Sequence, residues 1–209
     1  MNKTLRKVLP CLLLLVATTA LPAASPWSVR LRATYLETVD KSDAFSALGI
    51  AFAPNAVSVS DKLIPEIDVA YAFTDTLSAE LVLTIPQEHS VSLAGVGRLG
   101  SFKHLPPTLL FQYRALPGAA IRPYVAAGVN FTLIWDDRLV VAGVPLRLEN
   151  NSTGLALQAG VDWKLDERWS FNLDLKRAYI RSGVYAGAAR LTEARLDPWL
   201  YAAGVRYEF

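Results

Sequence analysis

The sequence predicts an all-β fold, an eight-stranded antiparallel up-and-down transmembrane β-barrel, and three observations carry that expectation. Apolar residues alternate with small or polar ones at period two in eight segments. The segments run for about 9–11 residues or more, the length a tilted membrane strand needs, whereas globular strands usually run to ~5–6. Aromatic residues gather at segment ends (Trp27, Phe73, Trp169, Trp199, Tyr207 and Phe209), as they do at the two interfaces of a membrane barrel.

The first 24 residues read as a cleaved signal peptide, leaving 25–209 as a single barrel domain. Lys3, Arg6 and Lys7 form a basic start, Val8 to Val16 a short apolar run, and Ala20, Ala23 and Ala24 the small residues of a cleavage region. The apolar run is too short for a spanning helix, which needs roughly 20 residues. Of 21 Lys and Arg, three lie in this segment and no acid does, so the mature chain has 18 cations against 19 acids. That balance points to no nucleic-acid partner. The one cysteine, Cys11, also lies there, so no disulfide is expected. No cofactor or metal is expected either, because no mature Cys and no His pair stand at ligand spacing.

The strands follow in order. The first runs about Trp27 to Thr38, with Val29, Leu31, Ala33 and Tyr35 on one face and Ser28, Arg30, Arg32 and Thr34 on the other. The second (about Ile64–Phe73) sets Ile67, Val69 and Tyr71 against Glu66, Asp68 and Ala70, and the third (about Leu77–Ile85) sets Leu81 and Leu83 against Ser78, Glu80 and Thr84. The fourth (about Thr108–Ala115) sets Leu109, Phe111 and Tyr113 against Thr108, Gln112 and Arg114. The fifth to eighth run about Arg122–Ile134, Thr153–Leu165, Trp169–Tyr179 and Pro198–Phe209. Three connections are short and four long, in strict alternation, which predicts periplasmic turns, extracellular loops and both chain ends in the periplasm. A soluble sandwich is the competing class; strand length, the aromatic ends and charges opposite the apolar face argue against it.

Three stretches resemble the outer membrane protein W (OmpW) family: Ser101-Phe102-Lys103-His104-Leu105-Pro106-Pro107-Thr108-Leu109, the run from Arg122-Pro123-Tyr124 to Asn130-Phe131-Thr132, and Arg195-Leu196-Asp197-Pro198-Trp199. The similarity extends thinly along the mature chain; Ala126 departs where the family often has Gly. The resemblance implies an outer-membrane barrel of a Gram-negative bacterium with a narrow apolar channel that passes small hydrophobic molecules. The terminal aromatic, Phe209, looks like the assembly signal read by the barrel-assembly machinery.

An eight-stranded barrel is just wide enough to be filled by side chains. The alternation turns Arg30, Arg32, Arg114, Lys164, Lys176 and Arg206 inward against Glu66, Asp68, Glu80, Asp162, Asp174 and Glu208. Such a balanced set reads as a salt-bridge plug, since an unpaired buried ion is costly. By depth, Arg30, Arg32, Glu80, Arg114, Asp162, Lys164, Arg206 and Glu208 fall in the periplasmic half or near mid-barrel, while Glu66 and Lys176 break the pattern. Leu36, Val82, Leu110 and Leu200 line an apolar outer half, with Gly128, Gly154 and Ala156 leaving space beside them. In the first loop, Phe45, Leu48, Ile50 and Phe52 form an apolar mouth or lid. Pro86, Pro106 and Pro107 flank neighbouring strands at the outer rim, where missing ladder donors mark ordinary strand ends or a lateral seam.

Function is therefore expected to be passive transport of small hydrophobic solutes, with outer-membrane lipids as surroundings. The first alternative is a surface receptor, adhesin-like or structural barrel whose long loops carry the role. The second is a lipid-modifying enzyme around Glu88, His89 and Ser90, for which no partner spacing gives support.

Overall fold

Eight tilted staves close the wall because each alternating segment finds an antiparallel neighbour on both sides. The computed structural model describes residues 25–47 and 49–209, so the signal segment and Leu48 lie outside it. The staves are β1 (Trp27–Glu37), β2 (Lys62–Ala72), β3 (Leu77–Thr84), β4 (Thr108–Arg114), β5 (Ile121–Val141), β6 (Asn151–Lys164), β7 (Trp169–Ala178) and β8 (Trp199–Glu208). Each pairs with the next, and β8 pairs back onto β1 from Ser28↔Glu208 to Glu37↔Trp199, so the sheet has no free edge there. Burial alternates along every stave: Leu31, Tyr35, Phe111, Trp163 and Trp169 face outward, and Arg30, Arg32, Leu110 and Asn172 face the lumen. The turn at 166–168 is set by Asp166, whose Oδ1 accepts from the backbone N–H groups of Arg168 and Trp169 at 2.8 Å each.

The long connections differ from the expected loops: most of their length is strand. β5 runs on to Val141, past the Ile134 end that its apolar pattern suggested, with a bulge between Trp135 and Arg138 where Asp136 adopts φ 54°. An extended strand leaves unpaired backbone groups on both edges, and the connections satisfy them. Gly97–Leu105 pairs with one edge (Ile134↔His104), Gln87–Leu93 pairs with it in turn, and Val57–Val59 adds beyond. On the other edge Val144–Leu148, Arg181–Ala186, Ala189–Arg195 and Lys41–Ser42 follow in order. The two flanks meet where the Asn55 N–H donates to the Ser42 carbonyl at 2.9 Å. A second, apolar storey thus stands on the barrel's outer end.

Gly128 and Gly154 do not open space in the lumen, contrary to the sequence expectation. A Cβ at Gly128 would collide with the carbonyl oxygen of Leu109 on β4, and one at Gly154 with that of Tyr179. These glycines let neighbouring strands approach and bend, as tight barrels require. Gly128→Val should therefore push β4 off β5, cost about 1–3 kcal/mol, and lower the fraction of heat-modifiable folded barrel on a gel. Wild-type yield and melting temperature would show that the wall has slack at this point.

Candidate functional site

The lumen is divided along its axis. Its periplasmic half holds a network of buried ions centred on the two arginines of β1. Arg32, which is 4% exposed, pairs with Glu66 at 2.9 Å, Glu80 and Asp174 at 3.1 Å each, and Asp68. Arg30 pairs with Glu80 and, at 3.1 Å, with Asp162, donates to Gln112 at 3.3 Å, and lies 4.9 Å from the centre of the Tyr124 ring. Lys176 bridges Glu66 (2.7 Å) and Asp174 (2.8 Å), and the Tyr124 hydroxyl donates to Asp174 at 2.6 Å. Nearer the periplasm Arg206 pairs with Asp162 (2.7 Å) and Glu208 (3.0 Å), with Arg122 (3.3 Å) and Arg114 (3.9 Å) also against Glu208. An eight-stranded lumen is just wide enough for side chains such as these to fill it.

Of the residues the sequence assigned to this plug, Arg30, Arg32, Glu80, Arg114, Asp162, Arg206 and Glu208 meet in it. Lys164 does not. It stands at the last position of β6, exposed, where the stave runs out into the periplasm and water solvates the ammonium. Arg122 takes its place, so six cations still face six acids. Gln112 and Gln158, which the alternation also turns inward, join the network as uncharged members, and Arg122 and Tyr124, which the sequence did not assign to it, share the parity of Gly128 and Asn130. Glu66 and Lys176, which broke the depth pattern, form the roof of the network.

Above that roof the lining changes to Leu36, Ile64, Val82, Leu110, Ala178, Ile180 and Leu200, all buried. A narrow cavity of ≈ 30 Å³ lies here, bounded also by Glu66, Lys176, Thr84, Pro106 and Thr108. The apolar packing continues upward into the second storey, where a cavity of ≈ 40 Å³ lies among Val91, Phe102, Ile134, Leu139 and Val184. The hairpin of Phe45–Ala47 with Ile50–Phe52 lies over this storey; Phe45 and Phe52 stack at 5.0 Å and pack inward, while Ile50 is 55% exposed and turns away.

The wall has a gap between β3 and β4. Their ladder stops at Val82↔Thr108, and pairing resumes only at Gln87↔His104. Pro86, Pro106 and Pro107 fall between these points and offer no donors. The carbonyls of Pro106 and Pro107 are instead capped from β5: Asn130 Nδ2 donates at 3.2 and 3.4 Å, and the Phe131 N–H at 2.9 Å.

Immediately above the gap sits a buried histidine pair. The His89 Nδ1–H donates to the Ser60 carbonyl at 2.6 Å, which leaves its Nε2 to accept from the His104 Nε2–H at 3.0 Å. His104 Nδ1 then has no partner among the described residues. Burial lowers both imidazoles, and beside His89 the His104 pKa is pushed down to about 3. Ser90 and Glu88 do not join this pair; Glu88 accepts from the Ser101 hydroxyl at 2.8 Å.

Residues 26–209 match the model of the OmpW family. The chain is 35% identical to an uncharacterized outer-membrane protein, y4mB, of Sinorhizobium fredii, over 88% of this chain and 80% of that one. It is 34% identical to outer membrane protein W of Vibrio cholerae, over 68% and 71% of the two chains. Its fold is similar to the crystal structure of the outer membrane protein OprG from Pseudomonas aeruginosa, with a TM-score of 0.75, 28% identity, and coverage of 89% of this chain and 97% of that one.

Two outcomes are expected from this geometry. Arg32→Gln strips four carboxylates of their shared cation and should cost about 3–5 kcal/mol of barrel stability, whereas Lys164→Gln should leave the melting temperature unchanged; equal melting of both variants would remove the plug's structural role. The histidines are held neutral with pKa values below the usual ~6.5, so an opened hairpin binds more protons as pH falls through that value. Amide exchange over Gln87–Leu105 should therefore quicken between pH 7 and pH 5, and His104→Gln should flatten the response. Exchange independent of pH in the wild type, after correction for the intrinsic rate, would contradict it.

Proposed function

The chain belongs to the OmpW family of outer-membrane barrels, and on that premise we propose that it is a passive conduit for small hydrophobic molecules, which enter from outside and leave sideways into the outer membrane. The observation that carries this reading is the axial division of the lumen. An apolar column runs from the second storey down to Leu36, Ile64 and Leu200, with a smaller cluster of Val82, Leu110, Ala126 and Ala156 at its foot, and it ends on the Glu66–Lys176 roof of the ion network beside the gap between β3 and β4. An apolar solute gains by entering such a column and loses heavily by displacing paired buried ions, so the wall gap is the cheaper exit.

The cavities of ≈ 40 and ≈ 30 Å³ are far below the roughly 150 Å³ that holds a benzene ring. The resting conduit is therefore closed, and a solute opens it by displacing side chains such as Phe45 and Phe52. No catalytic step is part of this role.

Leu110→Arg places an unpaired ion in the column and should reduce uptake of an apolar solute into proteoliposomes by about tenfold or more while the barrel still inserts, because its lipid face is untouched. Continuing the Val82↔Thr108 register sets position 84 opposite position 106, so oxidised Thr84→Cys/Pro106→Cys should block release until a reductant is added. If both variants fold and pass the solute at the wild-type rate, the conduit gives way to a surface receptor or structural barrel.

A further inference from the structure

The ion network is balanced as a whole but not along its length. At the periplasmic end three guanidinium groups, those of Arg114, Arg122 and Arg206, converge on one oxygen of one carboxylate, Glu208 Oε1, at 3.9, 3.3 and 3.0 Å. Asp162, the next acid inward, is shared between Arg206 and Arg30. The matching excess of acid lies deeper, where Arg32 and Lys176 face Glu66, Asp68 and Asp174. The lower cluster is therefore cationic, and its compensating charges lie beyond Arg30.

Arg114 is the informative member. It is 8% exposed, yet among the described residues its side chain makes no hydrogen bond, and its one ion pair is the long 3.9 Å contact. A guanidinium carries five donors, and burying it without acceptors is costly. It borders a cavity of ≈ 710 Å³ that opens toward the periplasmic turns, with Arg122, Arg206 and Glu208 also in its wall and Asp75, Glu167 and Arg168 in the turns at its rim. Trp27, Phe73 and Phe209 stand at this end of the barrel, between the cavity and the lipid.

We infer that this vestibule is a binding site for a small free oxyanion, phosphate or carboxylate, taken from the periplasm and held by Arg114, Arg122 and Arg206. The planar fork of a guanidinium matches the two oxygens of such an anion, and three forks around a partly enclosed space supply charge and direction together. Glu208 occupies part of the same cradle as a tethered competitor. The site opens axially, not through the wall, so a free anion reaches it and a lipid headgroup does not. It is separate from the apolar column, with the Arg30, Arg32 and Lys176 ion pairs between them.

The test titrates the folded, 15N-labelled barrel in a phosphate-free detergent at pH 7 with sodium phosphate, against sodium chloride at equal ionic strength. The Nε–H resonances of Arg114, Arg122 and Arg206 should move saturably with phosphate and stay in place with chloride. Arg114→Gln should weaken binding by about tenfold, because it removes one charge-assisted fork. Glu208→Gln should tighten it by a similar factor, because it removes the competitor, and Arg168→Gln at the rim should leave it unchanged. Should Arg114→Gln not fold, Arg114→Lys keeps the charge, loses the fork and is expected to weaken binding in the same direction. Equal shifts with chloride, binding indifferent to both Arg114 variants, or binding no tighter in Glu208→Gln would each overturn the site.

Discussion

The structure depends on two arginines of one strand. Arg30 and Arg32 project from β1 into the middle of an eight-stranded lumen, and between them they reach β2 through Glu66 and Asp68, β3 through Glu80, β4 through Gln112, β6 through Asp162 and β7 through Asp174. Two buried guanidinium groups would be prohibitive alone, and the surrounding carboxylates would be as costly without them. Each of those staves therefore has a reason to present its polar residue at the depth the others require. The ion network fixes which faces look inward, and it seals the barrel against water.

That seal determines what the remaining lumen can be. With the charges gathered at the periplasmic end, Leu36, Val82, Leu110 and Leu200 line the outer half together with the uncharged polar groups of Thr108, Asn130 and Thr132. The continuation of β5 to Val141 recruits the connections into a second storey and extends the same apolar lining beyond the membrane. The gap between β3 and β4 lies at the junction of the two halves, where prolines withhold donors and Asn130 and the Phe131 N–H satisfy the carbonyls they leave. A gap whose backbone groups are already bonded costs little to maintain in a membrane.

Much of this was legible in the sequence because a strand's side-chain period is two and admits no drift. Parity alone placed Arg30, Arg32, Glu80 and Asp162 inward together with Leu36 and Leu110. Parity failed where something other than parity decides. Lys164 has the inward phase but sits at a strand end, so its exposure depends on where the wall stops. Arg122 has the inward phase too, but it stands at the start of its segment, and only the closed register carries its guanidinium to Glu208. The long connections carry short alternating runs such as His89, Val91 and Leu93, too brief to stand out until β5 supplies an edge for them. Gly128 and Gly154 looked like room in the lumen, and only the register shows the neighbouring carbonyls they accommodate.

The central claim is that an apolar solute occupies the outer column and never passes the ion network. Photo-crosslinking with a small diazirine-bearing hydrocarbon, followed by mapping of the labelled residues in the folded barrel, measures it directly. Labels should fall on the column around Leu36, Val82 and Leu110 and at the gap around Thr84 and Pro106, with none on the lumen side of Arg114 or Glu208. Labels concentrated in the periplasmic vestibule would mean that the solute runs straight through the barrel, and the division of the lumen on which the account rests would be wrong.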